Sequence, residues 1–183
     1  VCEGEQPENV TSLLFEDNAS AYLTGLIAGR MTETNKVGFI GGMESPVISK
    51  FDYGFRAGVK AANPDAEVMV QYANSFTDSA LGKTIANQMH SKNADIIFTC
   101  AGAVGIGAIE AAKENGKKAI GVDQDQNSLA PENVITSAMK NIDVSVEEML
   151  SKVVDGSYKG GEVIINTLAM NGVGIAPTSN TVS

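Results

Sequence analysis

Ala119-Ile120-Gly121-Val122-Asp123-Gln124-Asp125-Gln126 is a short apolar run that ends in a carboxylate, and Ile135-Thr136-Ser137-Ala138-Met139-Lys140 is a second run that ends in a lysine. Both have the length and bounding residues of a buried strand. In open α/β sheets, ligands bind in the crevice outside the carboxyl ends of the strands. Opposite charges delivered to two such ends, Asp123 and Lys140, mark that rim as a candidate binding site.

Outward from these runs, strand-like and helix-like segments alternate. Residues 9–15 read as a short strand. Asp17 and Asn18 stand where they can cap a helix over 19–31, in which Tyr22, Leu23, Leu26, Ile27 and Arg30 recur at helical spacing. Residues 36–42 form a buried-strand pattern ending in Gly41-Gly42. Pro46 starts a helix whose apolar stripe, including Ile48, Phe51, Phe55 and Val59, stops at Asn63-Pro64. Strand patterns follow at 66–72, 95–100, 118–122 and 134–138, with helices at 78–89, 105–115 and 144–154. Gly116 is a natural helix C-cap, and 162–168 and 173–176 read as two terminal strands. The alternation is that of a parallel sheet covered by helices on both faces. Residues 36–142 make a self-contained set, while 1–35 and 143–183 outline a second sheet whose opening portion is missing.

Composition removes several function classes. At 43% hydrophobic residues the chain can bury a core, yet it has no apolar run long enough to cross a membrane. A net charge of -9 without a basic stripe argues against a nucleic-acid partner. The single histidine, His90, rules out a His-rich metal cluster and reads as a solvated or helix-capping group. Cys100 ends an apolar run and reads as a small buried hydrophobe, with nothing local to favour a disulfide with Cys2. The start, Val1-Cys2-Glu3-Gly4-Glu5, lacks the basic and apolar regions of a signal peptide. The chain is therefore cytosolic, begins after processing, or is part of a longer one.

The loops that join these elements carry the chemistry. Ala101-Gly102-Ala103-Val104-Gly105-Ile106-Gly107 has the spacing GxxGxG, not the GxGxxG of a dinucleotide site, and Gly41-Gly42 lacks the Lys-Ser/Thr of a phosphate loop. No cofactor is implied. The small residues let a helix pack closely and leave room for a ligand beside its start. In Asn74-Ser75-Phe76-Thr77-Asp78, Thr77 or Asp78 reads as a helix cap, whereas Phe76 either plugs the core or stacks on a planar ligand. Phe51 and Phe55 belong to the core stripe. Asp123 and Asp125 have no third oxygen-ligand cluster for a metal and no nucleophile motif beside them. Asp123 reads as an acceptor for ligand hydroxyls with Lys140 as donor or charge partner, or else as one of three solvated loop charges.

Several motifs, in order along the whole chain, resemble the basic membrane protein family. They are Phe15-Glu16-Asp17-Asn18 with Tyr22-Leu23-Thr24-Gly25, Met31 through Gly42, Phe51-Asp52-Tyr53-Gly54-Phe55-Arg56-Ala57-Gly58, Ser75-Phe76-Thr77-Asp78 with Gly82-Lys83, Gly121 through Gln126, and Thr136-Ser137-Ala138-Met139-Lys140. The family comprises substrate-binding lipoproteins of ATP-driven importers, typified by purine nucleoside receptors.

The resemblance implies an α/β fold of the periplasmic-binding-protein type I: parallel sheets flanked by helices, with one complete lobe plus part of a second. Residues 1–35 would be part of the first lobe, 36–142 the second, ligand-binding lobe, and 143–183 the return to the first. The family's opening segment has no counterpart in this chain, and its leader and lipidated cysteine would precede Val1; Cys2 is not that cysteine. Carried over by residue, Phe76 would stack on the base, Asp123 would accept from ribose hydroxyls, Lys140 would donate to the ligand, and Gly102 would line the cleft. The implied function is non-catalytic capture of a purine nucleoside (guanosine, adenosine or inosine) for an ABC transporter permease. The implied location is extracytoplasmic, with membrane attachment only through a lipid anchor outside this chain. The alternatives are a nucleoside or sugar sensor domain of a regulatory protein, and an α/β enzyme using Asp123 and Lys140.

Overall fold

A computed structural model of the chain describes residues 7–177, so Cys2 lies outside the described residues. The elements in chain order are β1 (Ser12–Phe15), α1 (Asp17–Met31), β2 (Lys36–Gly41), α2 (Pro46–Ala62), β3 (Glu67–Tyr72), α3 (Ser79–Ser91) and β4 (Ile96–Cys100). They continue with α4 (Ala103–Glu114), β5 (Lys118–Asp123), β6 (Val134–Lys140), α5 (Ile142–Val154), β7 (Val163–Asn166) and β8 (Val173–Ile175).

Six strands form one sheet in the order β3-β2-β4-β5-β6-β8, parallel except for β8, which runs antiparallel to β6. Successive residues of a strand point to opposite faces, which gives the sheet two apolar layers. On one face Phe39 and Phe98 meet Phe51 and Phe55 of α2, with the Phe55 and Phe98 rings 5.1 Å apart. On the other, Ile40 and Ile97 meet Ile85 and Met89 of α3 and Val104 and Ala108 of α4. Full burial of side chains of this size stabilises by about 1.5–3 kcal/mol each. Phe51 and Phe55 are thus core residues, and Cys100 is buried in the same layer. Burial pushes the Cys100 thiol well above its ordinary pKa, so it stays protonated.

Helix α1 departs from its expected face. The residues it buries are Ser20, Ala21, Thr24, Gly25, Ala28 and Gly29, whereas Tyr22 is exposed. Its partner is α2, and the contact is so close that a Cβ on Gly25 would overlap the Phe55 carbonyl and one on Gly58 the Tyr22 carbonyl. Small residues make that approach possible, so large apolar side chains would obstruct it. Asp17 does not cap α1 either: Glu16 holds the N-cap position with no side-chain cap bond, and Asp17 lies buried in the first turn.

The second sheet consists of β1 paired in parallel with β7, from Ser12 opposite Val163 to Phe15 opposite Asn166. The boundaries expected at 35/36 and 142/143 cut across the packing, because α1 lies on α2 and β8 extends the six-stranded sheet. Among the described residues, the strands and helices outside that sheet and the helices packed on it are β1, α5 and β7. Of α5 only Ser145 is buried, through a 2.8 Å hydrogen bond donated to Asn166 Oδ1.

His90 is buried, not solvated. Its Nδ1 lies 2.9 Å from the Ala94 carbonyl oxygen, and Nε2 has no hydrogen-bond partner among the described residues. Asp78 caps α3, accepting from the Leu81 N–H at 2.9 Å, and Gly116 takes the left-handed conformation after α4.

Candidate functional site

Parallel strand order brings the ends of β4, β5 and β6 side by side, and residues at and just after these ends line one cleft of about 490 Å³. Thr99, Gly102, Ile106, Asp123, Gln126 and Lys140 are among its walls. Three of the four expected site residues therefore share a single cavity.

Lys140 Nζ stands 3.8 Å from Asp123 Oδ1, and nearer still, at 3.0 Å, to Asp17 Oδ1. The rings of Phe15 and Phe51 lie on two further sides, each 5.5 Å from the ammonium. Aromatic faces attract a cation at this distance. The Asp17 carboxyl is held above the ordinary carboxylate range chiefly by burial, against the opposing pull of Lys140. Asp17 is not legible as a site residue in the sequence, because an acidic residue at a helix start is usually a cap.

Asp123 projects from the end of β5 with a backbone φ of +67°. Most residues avoid this left-handed conformation, and aspartate, with glycine and asparagine, is among those that adopt it more readily. The carboxylate is 60% exposed. Asp125 serves the loop instead, because its Oδ1 accepts from the Asn127 N–H at 3.0 Å and closes the turn after β5. Gln126 reaches back to accept from the Val122 N–H at 2.9 Å, while its own N–H donates to Ser137 Oγ at 3.1 Å. The turn thereby ties β5 to β6 behind the charged pair.

Phe76 lies in the loop before α3 and does not plug the core. Phe76 is 40% exposed, and its ring packs against Gly42, the residue after β2. Its carbonyl accepts from the Ala103 N–H at 2.8 Å, which pins the loop to the start of α4. A Cβ on Gly102 would come 2.8 Å from that carbonyl oxygen, and Gly102 has φ +57° and ψ -128°, a region that only glycine adopts without strain. Phe76 thus borders the cleft through Gly102. Among the described residues, no group of three or more His, Cys, Asp or Glu side chains could hold a metal ion.

The chain matches known proteins along its length. The model of a family described as "ABC transporter substrate-binding protein PnrA-like" matches residues 1–183. The nucleoside-binding protein BmpA of an ABC transporter in Lactococcus lactis is 42% identical, over 91% of this chain and 52% of its own. Basic membrane protein B of Borreliella burgdorferi is 41% identical, over 95% and 52%. Among solved structures, a solute-binding protein of an ABC transporter system from Aeropyrum pernix superposes with a TM-score of 0.89 at 30% identity, covering 96% of this chain and 52% of that one. A transcriptional activator of the comK gene from Bacillus halodurans superposes at 0.88 with 27% identity, over 99% and 62%. The chain spans about half the length of the curated relatives it matches. Its neighbours share the α/β fold expected from the sequence, that of periplasmic-binding-protein-type solute-binding proteins. By sequence and by fold, the chain belongs to the Bmp family of PnrA-like ABC transporter substrate-binding proteins.

Proposed function

We propose that this chain captures a purine nucleoside (guanosine, adenosine or inosine) in the cleft and delivers it to an ABC transporter permease, without catalysis. One observation carries the reading: Gly102 and the Asp123–Lys140 pair line one cleft, and the exposed Phe76, whose carbonyl lies against Gly102, stands next to it. The base stacks on Phe76, which supplies apolar burial with a required orientation. Asp123 accepts from the vicinal ribose hydroxyls and Lys140 donates to the ligand. Gly102 keeps the wall between the two ends free of side chain. The name of the Lactococcus lactis relative, a nucleoside-binding protein, supports the ligand class.

The ligand-binding lobe is the six-stranded sheet with its helices, and the β1–β7 pair is part of the opposing lobe. We place the protein outside the cytoplasm, attached as a lipoprotein. No helix of the described residues is long and apolar enough to cross a membrane. The likeness to the Bacillus halodurans activator favours a second reading, a sensor domain of a regulatory protein with the same ligand site.

A thermal-shift titration with guanosine, adenosine, inosine, cytidine, ribose and several amino acids tests the ligand class. Ligand at about a hundred times its dissociation constant adds roughly 2.7 kcal/mol to stability. A shift confined to purine nucleosides is expected; no shift with any of them overturns the reading.

A further inference from the structure

Lys140 has two carboxylates within reach, and they are not equivalent. Asp123 is largely exposed and 3.8 Å away, while the Asp17 side chain is 4% exposed and 3.0 Å away. Water and salt screen the first pair far more than the second. Apart from the ammonium at 3.0 Å, no group among the described residues hydrogen-bonds Asp17 Oδ1, so Lys140 is what compensates it. Asp17 also lies in the first turn of α1, where the helix dipole favours a negative charge. With Phe15 and Phe51 against the ammonium as well, three groups besides Asp123 bound Lys140.

Without Asp17, the nearest anion to Lys140 would be Asp123. The two groups assigned to the ligand's ribose would then satisfy each other. We infer that Asp17 is a positioning residue: it holds the Lys140 ammonium in its buried corner and leaves the Asp123 carboxylate free to accept ligand hydroxyls. The inference deepens the nucleoside reading and rests on it. Asp17 acts at the ribose end through Lys140, whereas the base end rests on Phe76, whose ring packs on Gly42.

Titrating the full chain with guanosine and with the free base guanine tests this. Guanine keeps the stacking surface and lacks the ribose. Asp17→Asn is expected to weaken guanosine binding at least tenfold and to change guanine binding less than twofold. In a Lys140→Met background the same substitution is expected to change guanosine affinity less than twofold, because no ammonium remains to position. Should Asp17→Asn fail to fold, Asp17→Glu, which keeps the charge and displaces it by one methylene, is read by the same ratio. Equal losses for guanosine and guanine, or no loss for either, overturn the assignment. Failure of the unaltered chain to bind guanosine overturns the nucleoside reading itself, and with it this assignment.

Discussion

The Phe76 ring packs on Gly42 so closely that a methyl group there would overlap its Cε1 and Cδ1 atoms. Glycine just after β2 is therefore what lets an aromatic ring from a polar loop stand beside the cleft. Gly42→Ala forces the ring to swing away. Base stacking on an aromatic is worth about 1–3 kcal/mol, so guanosine affinity should fall by about tenfold by calorimetry. The melting temperature should change little, because a flexible, part-exposed side chain yields.

Phe76→Ala and Phe55→Ala separate binding from folding. Phe55 is fully buried against Phe98, so its truncation should cost about 3–5 kcal/mol of stability. Phe76→Ala should leave the denaturation midpoint nearly unchanged and weaken nucleoside binding far more than Phe55→Ala does in whatever fraction stays folded. Equal affinity losses would remove the stacking role.

At Asp123 the carboxylate and the backbone make separable contributions. Asp123→Gly and Asp123→Ala remove the same acceptor and should weaken ribonucleoside binding alike. Alanine at φ +67° is strained by about 1 kcal/mol or more relative to glycine. Urea denaturation should show the glycine variant as the more stable of the two.

The α1–α2 contact should tolerate no added bulk. A Cβ on Gly58 would overlap the Tyr22 backbone carbonyl, which cannot turn aside as a side chain can. Gly58→Ala should destabilise by about 1–3 kcal/mol, or roughly 2–4 °C of melting temperature per kcal/mol for a chain of this size.

Burial holds the His90 imidazole below its ordinary value, with the Ala94 carbonyl and Asp95 opposing and Lys117 reinforcing the shift. The folded protein therefore binds this proton less readily than the unfolded chain. His90's contribution is complete above the ordinary pKa of about 6.5 and is lost as pH falls through the depressed folded value. Melting temperatures should fall below pH 6.5, and His90→Gln should flatten that part of the profile. An unchanged slope in the variant would assign the pH dependence to carboxylates.

The sequence alone determined the alternation of strands and helices, the aromatic core on α2, and the delivery of Asp123 and Lys140 to strand ends. These follow from local periodicity, because side-chain direction repeats every two residues in a strand and about every 3.6 in a helix. The buried face of α1 is not legible in the sequence because its partner demands small residues, and a stripe of Ala, Gly, Ser and Thr carries no strong hydrophobic signal against Tyr22 and Leu26. The antiparallel β8 was illegible for a related reason, since a three-residue strand shows neither its direction nor its neighbour. Asp17 looked like a cap for as long as only its own segment was visible. Its buried contact with Lys140 exists only because β1 leads into α1 where β6 ends. Ion pairs between distant segments leave no periodic trace, so tertiary structure alone decided which carboxylate holds the lysine and which stays exposed at the cleft.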